Sequence, residues 1–138
     1  MIKILKFLFL CLAISTLFNG GPVMADEKDI IHMTLKDGVV KIETRPDLAP
    51  KHVAQIKQLI SEGQYDGVIF HRVMDGFMAQ TGDVEFGNSS NDKFNISRAG
   101  TGGSNLPDIP AEFSDANHGR GAVSMARTQD PNSANSQF

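Results

Sequence analysis

The stretch FHRVMDGFMAQTGD, residues 70–83, places a guanidinium and an amide, Arg72 and Gln80, among large apolar side chains. Asp75-Gly76 at its centre is a strong signal for a tight turn between two strands. The stretch therefore predicts a β-hairpin, with strands over residues 66–73 and 77–83.

The alternation of side chains along a strand sorts these residues onto faces. Residues two apart share a face, so Met78 and Gln80 lie together, and a hairpin in register brings Arg72 onto the same surface. Phe77 has the opposite parity and joins that surface only through irregular backbone near the turn. The alternative is an edge strand whose arginine reaches out to water.

The segments that precede this hairpin have clear periodicity. DIIHMTLKDGVVKIETR, residues 29–45, alternates apolar and polar residues around a KDG turn, which predicts a first hairpin. PKHVAQIKQLISEG, residues 50–63, predicts a helix that begins at Pro50 and is capped by Gly63. Its expected buried stripe is Val53, Ile56 and Ile60 at helical spacing.

The segments that follow are less regular. Residues 87–110 form a long polar connection, which in a compact domain is usually functional or disordered. GAVSMAR, residues 121–127, predicts a short strand, and residues 136–138 the start of another. The order favours mainly antiparallel β structure with one helix over a βαβ fold.

Composition indicates one globular domain. The chain has 138 residues, of which 41% are hydrophobic and 21% charged, with a formal net charge of -3. Nothing in this balance indicates a nucleic-acid partner.

The first 25 residues have the pattern of a secretory signal peptide. Lys3 and Lys6 precede an apolar run over residues 7–18 that is too short to cross a bilayer, and a cleavage pattern ends at Ala25. We therefore expect a domain over residues 26–138 without stable membrane association after cleavage. Cys11 lies in the signal, so the mature chain has neither a disulfide nor a thiolate.

No pattern indicates a metal or a cofactor. The four histidines lack metal-binding spacing, and His71 is interpreted as a hydrogen-bonded strand residue. AGTGGS, residues 99–104, has no lysine in the position of a phosphate-binding loop, so it predicts a glycine-rich loop packed closely against another segment.

Five motifs in this order, FHRVMDGFMAQTGD, GTGGS, AEF, GAVSMAR and NSQF, resemble the cyclophilins, which are peptidyl-prolyl cis-trans isomerases. The resemblance covers residues 26–138 and implies an eight-stranded antiparallel β-barrel capped by two helices. MARTQDPNSANSQF is closest to bacterial members and, with the signal, implies a monomeric periplasmic enzyme. Its expected partners are proline-containing peptides and unfolded segments of exported proteins.

The resemblance also implies the roles of individual residues. Arg72 matches the catalytic arginine, and Gln80 matches the glutamine that steadies the substrate beside it. The remaining groove residues implied are Phe77 and Met78 in the proline pocket, Gly100 and Thr101 in a flanking loop, Ala126 at the substrate main chain, Arg127 where many members have asparagine, and Gln137.

The family pattern continues after NSQF with a second phenylalanine and later an aromatic residue, a leucine and a histidine. The resemblance therefore implies that the last strands and the second helix are lacking. Two alternatives to an active isomerase stay open: a non-catalytic module that binds proline peptides as a chaperone, and an inactive fragment.

Overall fold

The computed structural model describes residues 29–138, and the expected signal peptide lies outside them. The elements, in chain order, are β1 (Ile30–Leu35), β2 (Gly38–Glu43), α1 (Pro50–Ser61), β3 (Arg72–Met74) and β4 (Met78–Gln80). Within residues 29–138, no helix is both long enough and apolar enough to cross a membrane.

The first hairpin is confirmed. β1 and β2 pair antiparallel, with Ile31 opposite Ile42 and Met33 opposite Val40. These apolar pairs share a face because the side-chain period of a strand is two.

The helix begins at Pro50 as expected, and Gly63, at a φ of 68°, follows its end. The expected buried stripe is partly wrong. Leu59 is 1% exposed and anchors the helix in the core, whereas Ile60 is 39% exposed. A 3.6-residue period cannot separate adjacent apolar positions at the border of a stripe.

A distant carboxylate caps the start of α1. The N-cap residue Ala49 has no side chain that could accept a hydrogen bond. Glu112 instead accepts the N–H groups of Lys51, at 3.0 Å, and His52, at 3.0 Å, and its carboxylate lies 2.6 Å from the Nδ1 of His52. This contact ties the segment around Glu112 to the helix.

The second hairpin is confirmed, but its strands are shorter than expected. Arg72 pairs with Gln80 and Met74 with Met78 in an antiparallel ladder of three residues per strand. Outside the ladder the backbone bonds to other segments: the N–H of Ile69 donates to Gly87 at 2.9 Å, and the N–H of Thr81 donates to Phe138 at 2.9 Å.

The C-terminal segments approach this hairpin without forming regular strands. Residues 121–127, expected as a strand, are irregular, and the N–H of Ala126 donates to the carbonyl of Gln137 at 2.9 Å. Thr81 and Phe138 exchange two backbone bonds, which is the contact expected of a strand pair. The regular strands of residues 29–138 pair as two two-stranded sheets.

The core lies between helix α1 and the segments that follow β4. Its buried apolar residues are Leu59, Val84, Phe86, Ile109 and Ala134. Residues 87–110 contain turns and no helix or strand, as the sequence predicts, and an isolated bridge joins Ile109 to Ala134. This packing places the second hairpin beside residues 99–104 and 135–138.

Candidate active site

Arg72 and Gln80 face each other across the second hairpin. The Nη1 of Arg72 lies 3.4 Å from the Oε1 of Gln80, and its Nη2 lies 3.3 Å from the sulfur of Met74. The contact with Gln80 is long for an N–H···O bond, and Arg72 forms no ion pair within residues 29–138. The guanidinium therefore has donors available for another molecule.

The side-chain amide of Gln80 is hydrogen-bonded to that of Gln137. Its Nε2 donates to the Oε1 of Gln137 at 2.9 Å. The Nε2 of Gln137 donates in turn to the carbonyls of Gly100, at 3.1 Å, and Gly102, at 2.7 Å. The two glutamines thus link the arginine to the glycine-rich loop.

The glycine-rich loop is fixed by a buried carboxylate. Asp83 is 0% exposed, and its Oδ2 accepts the N–H groups of Gly100 at 2.7 Å and Gly102 at 2.9 Å. Its Oδ1 accepts those of Phe86 at 2.9 Å and Glu85 at 3.1 Å. Burial raises the pKa of Asp83, but these four donors outweigh it and hold the pKa below its ordinary value.

Two cavities open beside this network. One, of about 430 Å³, is lined by residues of the glycine-rich loop together with Gln80, Ala126, Arg127 and Gln137. The other, of about 390 Å³, is lined by His71, Arg72, Gln80, Ala99, Gly100 and Thr101. Gln80, Gly100 and Thr101 border both cavities, and we call this region of two adjacent cavities the groove.

Most of the predicted site residues therefore come together. Arg72, Gln80, Gly100, Thr101, Ala126, Arg127 and Gln137 all line this region. Phe77 and Met78 line neither cavity. Phe77 is 75% exposed at the hairpin turn, and Met78 packs opposite Met74.

The side chain of Arg127 bonds to the backbone that follows it. Its Nη1 donates to the carbonyl of Thr128 at 2.8 Å, and its side chain is exposed. The adjacent Ala126 has its N–H occupied by the carbonyl of Gln137.

The interpretation of His71 as a hydrogen-bonded strand residue is wrong. It precedes β3, and both ring nitrogens are buried without a hydrogen-bond partner within residues 29–138. The ring packs against Gly100, where a Cβ atom would lie 2.7 Å from its Cδ2. Close packing against the loop, rather than hydrogen bonding, explains its position.

Sequence reasoning did not identify Asp83 or Gly102 as part of the site. Asp83 ends the opening motif, but nothing local indicates that its carboxylate is buried against residues 17 and 19 positions later. The spacing of glycines in GTGG was a partial signal for an anchored loop, because the N–H groups of two alternate residues, Gly100 and Gly102, can bond to one acceptor. Within residues 29–138, no group of three or more His, Cys, Asp or Glu side chains is arranged to hold a metal ion.

The structure resembles the crystal structure of the cyclophilin AquaCyp293 from Hirschia baltica, with a TM-score of 0.62 and 27% sequence identity. The match covers 83% of this chain and 57% of that chain. The fold is that of the cyclophilins.

The sequence comparisons agree with the fold. The family described as cyclophilin type peptidyl-prolyl cis-trans isomerase/CLD matches residues 30–138. The chain therefore belongs to the cyclophilin family.

Relatives in this family include both bacterial and plant proteins. A probable peptidyl-prolyl cis-trans isomerase of Brucella abortus (strain 2308) is 64% identical over 114 residues, which cover 83% of this chain. A peptidyl-prolyl cis-trans isomerase of Arabidopsis thaliana is 40% identical over 101 residues, which cover 73% of this chain and 42% of that protein. The chain spans 58% of the length of the Brucella relative.

Proposed function

We propose that this protein is a peptidyl-prolyl cis-trans isomerase that accelerates rotation of X-Pro bonds in exported proteins. The observation that carries the proposal is the pairing of Arg72 with Gln80 at a groove, with the guanidinium only weakly engaged. Family membership and the names of the relatives support the same reaction.

The chemistry of the bond explains why an arginine is suitable. An X-Pro bond rotates over a barrier of about 18–20 kcal/mol because its C–N bond has partial double-bond character. At the twisted transition state the prolyl nitrogen loses conjugation and gains a localised lone pair. A donor directed at that nitrogen binds the transition state more tightly than the planar ground state, which is the condition for catalysis.

Arg72 would supply this donor. An arginine guanidinium carries a positive charge and a planar set of N–H donors, and the Oε1 of Gln80 lies 3.4 Å from its Nη1. A charge-assisted hydrogen bond contributes about 1.5–3 kcal/mol, which corresponds to roughly 10- to 150-fold in rate. The rest of the acceleration would require apolar side chains that enclose the proline ring and exclude water.

The test is the rate of cis-trans exchange in a proline-containing peptide, measured by NMR with the purified protein. Arg72→Ala should lose roughly 10- to 150-fold in exchange rate and keep its fold. Arg45→Ala is the matched control, because Arg45 is an exposed arginine paired with Asp47 at 2.7 Å. Exchange at the wild-type rate in Arg72→Ala would show that the role assigned to Arg72 is wrong.

A second candidate is a module that binds proline peptides without catalysis. The observation that favours it is the 75% exposure of Phe77, which lines neither cavity and so encloses no proline ring in this structure. In the same NMR experiment, peptide shifts that report binding without faster exchange would favour this candidate.

We also propose that the protein acts as a periplasmic monomer. The support for the location is the signal-peptide pattern of residues 1–25, and the monomer is what the resemblance to the cyclophilins implies. Fractionation of cells that express the chain tests the location, and a mature form without residues 1–25 is the expected product. Recovery of the uncleaved protein in the cytoplasm would contradict the periplasmic location. A stable dimer in light scattering would contradict the monomer.

A further inference from the structure

We propose that Asp83 is a positioning residue for catalysis, which acts through the Gly100–Gly102 segment and Gln137 to orient Gln80 toward Arg72. The inference rests on the proposed function, because it concerns how the same site is held. It assigns a role to a carboxylate that does not itself line either cavity.

The first step is the anchoring of the loop. Oδ2 of Asp83 takes the N–H groups of Gly100 and Gly102, while Oδ1 takes those of Glu85 and Phe86. Both oxygens are fully used, and the group is 0% exposed. Hydrogen bonds to a charged acceptor are roughly twice as strong as neutral ones, so the segment is held firmly.

The second step is that the same two residues use their carbonyls on the other side. Gly100 and Gly102 each accept a hydrogen bond from the Nε2 of Gln137. The peptide segment therefore lies between Asp83 and Gln137. Close packing leaves it little freedom, because a Cβ on Gly102 would stand 2.6 Å from the Oδ1 of Asp83.

The third step is the direction of the two amides. A carbonyl can only accept, so the NH₂ group of Gln137 must face Gly100 and Gly102, and its oxygen must face Gln80. The NH₂ group of Gln80 then faces that oxygen at 2.9 Å. The oxygen of Gln80 is left to face Arg72, at 3.4 Å.

The consequence is that the loop carbonyls fix which end of Gln80 meets the guanidinium. If the segment moved away from Gln137, the amide of Gln80 could turn and present its NH₂ group to Arg72. Two donors would then face each other, and the guanidinium would lose its support. A small displacement of a catalytic group can lower a rate severely, whereas binding of a peptide elsewhere in the groove is less affected.

The test is a comparison of kcat with peptide affinity in Asp83→Asn. An asparagine sets an NH₂ group against two N–H donors in either orientation, so the anchor is weakened without a change in size. The expected result is a kcat lower by about tenfold, with unchanged peptide affinity and faster hydrogen exchange at the Gly100 and Gly102 amides. Glu112→Gln is the matched control. It makes the same carboxylate-to-amide change at another poorly exposed site that accepts backbone N–H groups, and it should leave kcat unchanged.

A double-mutant cycle tests whether Asp83 acts through Gln137. Gln137→Met should also lower kcat. The double variant should be no slower than Gln137→Met alone, because both changes interrupt the same chain of hydrogen bonds from Asp83 through the loop and Gln137 to Gln80, which we call the relay. Losses in kcat that add would overturn the inference. A wild-type kcat in Asp83→Asn, with only a lower melting temperature, would overturn it as well.

If Asp83→Asn does not fold, Gln137→Met decides the question with Asp83 intact. A low kcat of Gln137→Met together with slow hydrogen exchange at the Gly100 and Gly102 amides supports the relay, because Asp83 then still holds the loop while Gln80 has lost its partner. An unchanged kcat, or fast exchange of these amides in the wild type, overturns it. A wild-type protein without any acceleration would refute the proposed function itself, and this inference with it.

Discussion

Glu112 caps helix α1 from a position 60 residues away, and its removal should destabilise the protein measurably. The carboxylate accepts the N–H groups of Lys51 and His52, and Ala49 offers no substitute. In Glu112→Gln a single oxygen remains, and the new NH₂ group faces a donor. Loss of a helix cap costs about 0.5–2 kcal/mol, and each kcal/mol corresponds to roughly 4 °C in Tm for a domain of about 110 residues.

The pH dependence gives this prediction a second measurable part. Burial raises the pKa of Glu112, but the His52 N–H, the His52 ring and the Lys51 N–H together hold it below its ordinary value of 4.5. A lowered folded pKa contributes stability that is present above the unfolded pKa and lost as pH falls through the folded one. The stability gap between wild type and Glu112→Gln should therefore narrow in acid.

Urea unfolding at neutral and acid pH measures both parts. Glu62→Gln is the control on the same helix, because Glu62 lies at its C-terminal cap, and within residues 29–138 its carboxylate accepts a hydrogen bond only from the side chain of Gln58, at 2.9 Å. A negative charge there opposes the helix dipole, so its removal should not destabilise. Equal stability of Glu112→Gln and wild type at neutral pH would refute the capping role, and a gap independent of pH would refute the role of the charge.

Two further predictions concern the packing around the C-terminal segment. Gly82→Ala should lower the melting temperature more than Gly76→Ala. Both glycines have positive φ, but a Cβ at Gly82 would lie 2.5 Å from the carbonyl oxygen of Ser136, whereas a Cβ at Gly76 would meet no atom within 4 Å. Equal losses of melting temperature would contradict this steric argument. Burial raises the pKa of the Tyr65 hydroxyl above its ordinary value of 10.0, so stability should fall as pH rises past that value. Tyr65→Phe, which deletes the 2.8 Å bond to Ser136, should lower stability at pH 7 by about 0.5–1.5 kcal/mol and flatten the alkaline loss, and a steep alkaline loss in this variant would contradict the assignment.

The sequence was sufficient for the local parts of the fold. Asp75-Gly76 predicted the second hairpin, and the structure pairs Arg72 with Gln80 across a loop of residues 75–77, which places the two side chains on one face as expected. The start of helix α1 followed from Pro50. In each case the deciding interaction lies within a few residues, which is the range that periodicity and turn chemistry report.

The relay behind Gln80 could not be predicted in the same way. Gln137 lies 57 residues from Gln80, and Asp83 meets glycines 17 and 19 residues later. The residues next to a polar side chain in sequence do not indicate which distant group it will bond to. The resemblance to cyclophilins identified Gln137 as a groove residue, but its contacts with the loop carbonyls emerged only from the tertiary structure.

The long sequence separation of these contacts has a consequence for the order of folding. Tyr65 reaches Ser136 across 71 residues, and Gln55 reaches Asn135 across 80. Closing such wide loops costs more chain entropy than closing the hairpin of β1 and β2, so we expect the groove to assemble last. Pulse-labelling hydrogen exchange should find the amide of Phe138 protected later than those of β1. A newly emerging chain would then form its helix and hairpins first, and its groove would be complete only when residues 135–138 pack against them.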